Sequence, residues 1–116
     1  EIECAVRQKI PFVVLVADDG AWGITQSGHR DKYGEPITSS LGPIDFVKLA
    51  ESFGHVGMRV EKSGDIEGAF KEAFAMKDRL VLMDFITDQT ENVYPMIAAG
   101  KGQHEMHLAP DDRELA

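Results

Sequence analysis

Phe12-Val13-Val14-Leu15-Val16-Ala17-Asp18-Asp19-Gly20-Ala21-Trp22-Gly23 is the most informative stretch of the chain. The six apolar or small residues from Phe12 to Ala17 are too few for a stable helix and long enough for a strand buried on both faces. The run then stops at two adjacent carboxylates and a glycine. In open α/β sheets, ligands sit just beyond the carboxyl ends of the strands. A strand that delivers Asp18 and Asp19 to that edge supplies half of a cation or phosphate site. The same residues also suit a plain strand-to-turn junction, because Asp and Gly are favoured turn residues.

Upstream, Glu1 to Lys9 reads as the back half of an amphipathic helix, with Ile2, Ala5 and Val6 on one side and Pro11 as its stop. With no N-cap before it, this segment reads as a piece cut inside a helix of a longer protein. Cys4 falls in its mostly apolar pattern and is expected to be packed. Downstream, Gly23 to Gly42 is polar and glycine-spaced and reads as a long loop of the kind that serves as a lid. Within it, His29, Arg30 and Lys32 read as a solvated turn.

Gly42-Pro43 is expected to open a helix whose Phe46, Leu49, Ala50 and Phe53 recur at helical spacing and which Gly54 closes. His55 to Val60 alternates as a strand, and a second helix runs from about Asp65 with Ile66, Ala69, Phe70 and Ala73 on one stripe. Leu80 to Ile86 is a further strand buried on both faces. Strand and helix thus alternate, which implies an α/β fold with a parallel sheet flanked by helices. From Thr87 onward neither period holds, so residues 87–116 read as a C-terminal tail of a 1–116 unit.

Composition narrows the function. The chain has 116 residues, 43% of them hydrophobic, enough for one folded domain. Twenty acids against 12 bases give a net charge of -8, which argues against nucleic-acid and anionic-membrane surfaces. The single cysteine excludes an internal disulfide and fits a reducing compartment. No apolar run approaches the ~20 residues of a membrane helix. A cytoplasmic location is the expectation.

Four stretches carry a family likeness: Glu3 to Pro11, Asp18 to Gly23, Asp45 to Gly54, and Glu91-Asn92-Val93-Tyr94-Pro95-Met96. Together they resemble the C-terminal thiamine-diphosphate-binding domain of acetolactate synthase and its relatives, over nearly the whole chain. The resemblance implies a partial thiamine-diphosphate-binding fold that lacks its N-terminal half. It also implies a cofactor diphosphate held through Mg2+, a hard cation that takes oxygen ligands. In that family a Gly-Asp-Gly motif supplies one metal ligand and an Asn-Asn pair another; Asp18-Asp19 falls where the Asn-Asn pair falls. By that carry-over Asp19 and the carbonyl of Ala21 are metal ligands, and Asp18, Gly20, Ala21, Trp22 and Gly23 line the cofactor. The Gly-Asp-Gly half would precede Glu1. The catalytic glutamate and any flavin site belong to other domains of the family, so no catalytic residue and no flavin are expected here.

The chain departs from the family where two aspartates replace two asparagines, where Gly20-Ala21 replaces an acidic pair, and where Ser27 replaces a tryptophan beside the substrate channel. The implied parent decarboxylates a 2-oxo acid such as pyruvate and ligates the product to a second oxo acid. It would be a homodimer or higher homo-oligomer, with room for a regulatory subunit, and the chain alone would be inactive. A receiver-like magnesium-binding signalling domain is the alternative, but it needs a phosphoacceptor Asp at a later strand end; Asp84 lies inside its apolar run and Asp88 comes late. A pure interaction module is a third reading. His104 and His107 are spaced to share an ion but lack a third ligand.

Overall fold

The computed structural model describes residues 1–90 and 93–108. Three parallel strands, β1 (Val13–Asp18), β2 (Val56–Val60) and β3 (Val81–Ile86), form one sheet in the order β1-β3-β2. Val13 pairs with Val81 and Val56 pairs with Val81 from the other side, so all three strands end at one edge. The expected α/β alternation with parallel strands is present.

Helices cover both faces. On one, α1 (Ile2–Arg7) and α3 (Phe46–Ser52) pack Ala5, Ala50, Ile2 and Phe46 against Val14, Val16, Leu80 and Leu82. On the other, α4 (Ile66–Ala75) lays Ala69, Phe70 and Ala73 on Val81, Met83, Val56 and Met58. Phe70 also stacks on Phe85 with ring centroids 5.6 Å apart. β3 is central and is buried from Val81 to Asp84.

Contact between α3 and β2 depends on Gly57. A Cβ there would lie 2.5 Å from Val47 Cα and 2.7 Å from its carbonyl oxygen, so the helix backbone occupies the space a side chain would need. His55 secures the start of β3: its Nδ1 accepts the Leu80 N–H at 3.2 Å, and Leu80 is almost fully buried. His55→Ala should orphan that donor and destabilise the fold by about 1–3 kcal/mol. His55→Asn, which can offer an amide oxygen as the acceptor, should recover most of the loss. Urea denaturation of both variants checks this, and equal stability of His55→Ala and wild type would contradict it.

Several sequence expectations need correction. The Gly23 to Gly42 segment is not all loop, because Gly23 to Tyr33 forms an eleven-residue helix, α2, closed by Gly34 at φ 83°. Its apolar residues do not form a stripe: Ile24 is 82% exposed, and only Gln26 is buried. α3 starts after Asp45, not at Pro43, because the Asp45 carboxylate accepts the Lys48 N–H and caps the helix. That hydrogen bond, aided by the Lys48 ammonium, holds the Asp45 carboxyl below the usual carboxylate range.

β1 is not buried on both faces. It is an edge strand, and Leu15 is 56% exposed because α4 lies over β2 and β3 instead. Cys4 is exposed rather than packed. In the tail, Met96 and His107 exchange two backbone hydrogen bonds across a short 3-10 turn at Gln103–Glu105. Glu91, Asn92 and residues 109–116, part of the tail read from sequence, lie outside the described residues.

Candidate functional site

The carboxyl ends of the strands open into a cleft of about 430 Å³. One wall is the turn after β1 with Asp18, Asp19 and Gly20; another is Leu41, Gly42, Pro43 and Ile44; Phe46, Arg59, Ile86, Thr87 and Gln89 complete it. This volume is in the range of small-molecule pockets.

Local hydrogen bonding shapes the turn. Asp18 Oδ1 accepts the Gly20 N–H at 2.9 Å, and Asp19 Oδ1 accepts the Ala21 N–H at 3.0 Å. Two successive Asx turns reverse the chain within a few residues. Gly20 takes φ 65°, a left-handed conformation that glycine adopts at little cost. A Cβ at Gly23 would meet Asp19 Oδ2, so any side chain there would displace the Asp19 carboxylate. The Asp19 carboxylate therefore lies over the first residue of α2.

A returning segment braces the turn. Trp22 N–H donates to Ser39 O at 2.8 Å and Leu41 N–H donates to Gly20 O at 2.9 Å, which places Ser40 opposite Ala21. Thr87 N–H donates to Asp18 O at 2.9 Å, and Arg30 Nη2 donates to Gln89 O at 2.9 Å. Arg30 thus ties α2 to the segment after β3 instead of lying in a solvated turn. His29 Nδ1 accepts the Ile37 N–H. Trp22, which the family resemblance places along the cofactor, is 64% exposed.

The donor set suits a hard cation. Asp19 keeps Oδ2 outside the Asx turn, and among the described residues no backbone N–H donates to the Ala21 carbonyl. Two carboxylates and a carbonyl on one turn are oxygen ligands of the kind Mg2+ takes. Among the described residues no group of three or more His, Cys, Asp or Glu is placed to hold a metal by itself, His104 and His107 included.

Sequence reasoning did not find the strongest charged pair at the site. Asp84 is fully buried in β3, and its Oδ2 accepts from both Nε and Nη2 of Arg59 at 3.0 Å. This hydrogen bond raises the Arg59 guanidinium above its ordinary value. Asp84 Oδ1 and the buried Ser39 hydroxyl have no hydrogen-bond partner among the described residues. The signal for the pair was available: Val56 to Val60 and Leu80 to Ile86 are apolar runs with one charge each, of opposite sign.

Residues 1–85 match the family described as thiamine pyrophosphate enzyme, C-terminal TPP binding domain. The chain belongs to that family. Its matched region ends in β3 and includes the Asp18-Asp19 turn, α3 and the Arg59–Asp84 pair. Curated relatives extend the similarity to the tail. Acetolactate synthase large subunit from Haemophilus influenzae is 32% identical over 98% of the chain. The large subunit from Buchnera aphidicola is 43% identical over 93% of it. In both cases the chain spans about a fifth of the relative's length.

Among solved structures, a thiamine diphosphate-dependent 4-hydroxybenzoylformate decarboxylase from Rhodococcus jostii superposes with a TM-score of 0.64. It is 33% identical, and the match covers 72% of this chain and 16% of that one. The resemblance to the C-terminal domain of acetolactate synthase, and the α/β fold it implied, are both supported by these matches. The family places the chain among thiamine-diphosphate enzymes.

Proposed function

We propose that this chain is the diphosphate-anchoring part of a thiamine-diphosphate- and Mg2+-dependent enzyme of the acetolactate synthase type. The observation that carries the reading is the double Asx turn at the end of β1, which gathers Asp18, Asp19 and the Ala21 carbonyl at the sheet edge in a member of the TPP-binding family. In this reading Asp19 and the Ala21 carbonyl ligate the cation, and Asp18, Gly20, Ala21, Trp22 and Gly23 line the cofactor. When bound, thiamine diphosphate supplies carbanion stabilisation to the decarboxylation of a 2-oxo acid such as pyruvate.

The residues of this chain bind and orient. Asp19, pinned by the Ala21 N–H, offers its second oxygen to the cation; Gly20 and Gly23 leave the approach free of side chains. The segment Leu41 to Ile44 forms the wall on the other side of the cleft. Remaining metal ligands and the proton-transfer groups come from outside the 116 residues, as does any flavin site. The parent is a homo-oligomer working on 2-oxo acids, open to a regulatory subunit and cytoplasmic. No helix of the described residues is long and apolar enough to cross a membrane.

The receiver-like alternative is disfavoured by Asp84. That carboxylate is fully buried and bound to Arg59, so phosphoryl transfer cannot reach it. The proposal predicts that the purified 116-residue chain forms no acetolactate from pyruvate with added thiamine diphosphate and Mg2+. The full-length protein that contains it should form acetolactate under the same conditions. Turnover by the 116-residue chain, or its absence in the full-length protein, would overturn the respective half.

A further inference from the structure

Arg59 reaches the cleft from β2 with one edge of its guanidinium committed. Nε and Nη2 each lie 3.0 Å from the same oxygen, Asp84 Oδ2. That anchor is fully buried and hangs from the central strand, so it does not move with solvent. A guanidinium is a planar fork, and one held along its Nε–Nη2 edge directs Nη1 away from its anchor. The two members of the pair differ in exposure: the acid is completely hidden, while the Arg59 side chain is 40% exposed and lines the cleft with Ile44, Phe46 and Ile86. Apolar walls lower the local dielectric and strengthen whatever hydrogen bond the free edge makes.

We propose that Arg59, oriented by Asp84, is an anion-recognition residue of the cleft and takes an anionic oxygen, of a carboxylate or a phosphate, from the molecule bound there. Asp84 is the positioning residue of the pair. Asp18 and Asp19 share the cleft, so a bare anion binds weakly, and the molecule preferred is one whose anionic group keeps to the Arg59 wall. Asp45 and Glu61 also act on Arg59 electrostatically and weaken the contact in the same direction. The contact needs no bound cation and does not depend on the cofactor reading.

Phenylglyoxal, which modifies accessible arginines, tests this in the full-length protein without divalent cations. Modification of Arg59, Arg7 and Arg79 is followed by peptide mass mapping, with inorganic phosphate in one arm, acetate in another and sodium chloride at matched ionic strength as reference. Arg7 and Arg79 are exposed and are held by Glu3 and Asp78, so they report the general salt effect. The expected result is a saturable slowing of Arg59 modification by about fivefold in at least one arm, with little change at the other two. The arm that saturates at lower concentration identifies the chemistry. In Asp84→Asn, which loosens the anchor, the protection should fall to that of the surface arginines. Equal protection of all three arginines overturns the anion site; undiminished protection in Asp84→Asn overturns the positioning role.

Discussion

Gly57→Ala should cost this fold about 3 kcal/mol, the upper end of the range for overpacking. The new methyl would meet the Val47 backbone at 2.5 Å, and a helix backbone cannot swing aside as a side chain tip can. α3 would have to lift from β2. That shift would open the cluster of Ala50, Leu80 and Leu82 and move Phe46 and Ile44 at the cleft. Gly68→Ala is the control, since nothing lies within 4 Å of a Cβ there and it sits inside α4, where alanine is favoured. Chemical denaturation should show a large loss for the first substitution and none for the second. A Gly57→Ala variant as stable as wild type would mean that α3 does not sit on β2 as described.

A second large effect is expected from Arg59→Met. The substitution leaves the Asp84 carboxylate completely buried without its partner, with the other oxygen already unpaired. Stripping a buried carboxylate of its ion-pair partner is among the most destabilising single changes, and Tm should fall by roughly 12 °C or more. Combining it with Asp84→Leu removes the stranded charge. Because a buried pair is often replaceable by apolar residues of similar volume, the double variant should regain most of the lost Tm. If Arg59→Met melts with wild type, the carboxylate is satisfied by some other group and the pair is not the anchor described here.

The parts of the fold legible in the sequence are those where one physical signal dominates. β3 is apolar on both faces apart from Asp84 and is the central strand, so its run reads correctly. The stripe Ile66, Ala69, Phe70, Ala73 announces α4, although Ile66 at its start stays partly open. α2 was illegible because a helix is normally recognised by its buried face, and this one buries only Gln26. Its formation rests on local hydrogen bonding and on ties to the Gln89 carbonyl and Ser39, which no periodicity encodes.

β1 misled in a different way. Its residues are apolar on both faces, as in a central strand, but in this chain it is at the edge and Leu15 has no cover. The Asp18-Asp19 turn was visible as a motif, whereas its bracing by Ser39, Leu41 and Thr87 was not, since those residues lie 17 to 69 positions away from their partners. Arg59 and Asp84 were legible in principle as lone opposite charges in two buried runs. Their pairing follows only once β2 and β3 are known to be neighbours in register, with Arg59 beside Asp84.

The most direct test of the account is a calorimetric titration of thiamine diphosphate with Mg2+ into the full-length protein and its Asp19→Ala variant. Asp19 is half-buried in the turn and belongs to neither core cluster, so the substitution should leave the core intact, and far-ultraviolet circular dichroism would verify that. The account predicts Mg2+-dependent binding to the wild type and an affinity at least about tenfold weaker in Asp19→Ala, as expected for loss of a group holding the metal. Equal affinities in the two proteins would contradict it and place the cofactor's anchor away from the β1 turn.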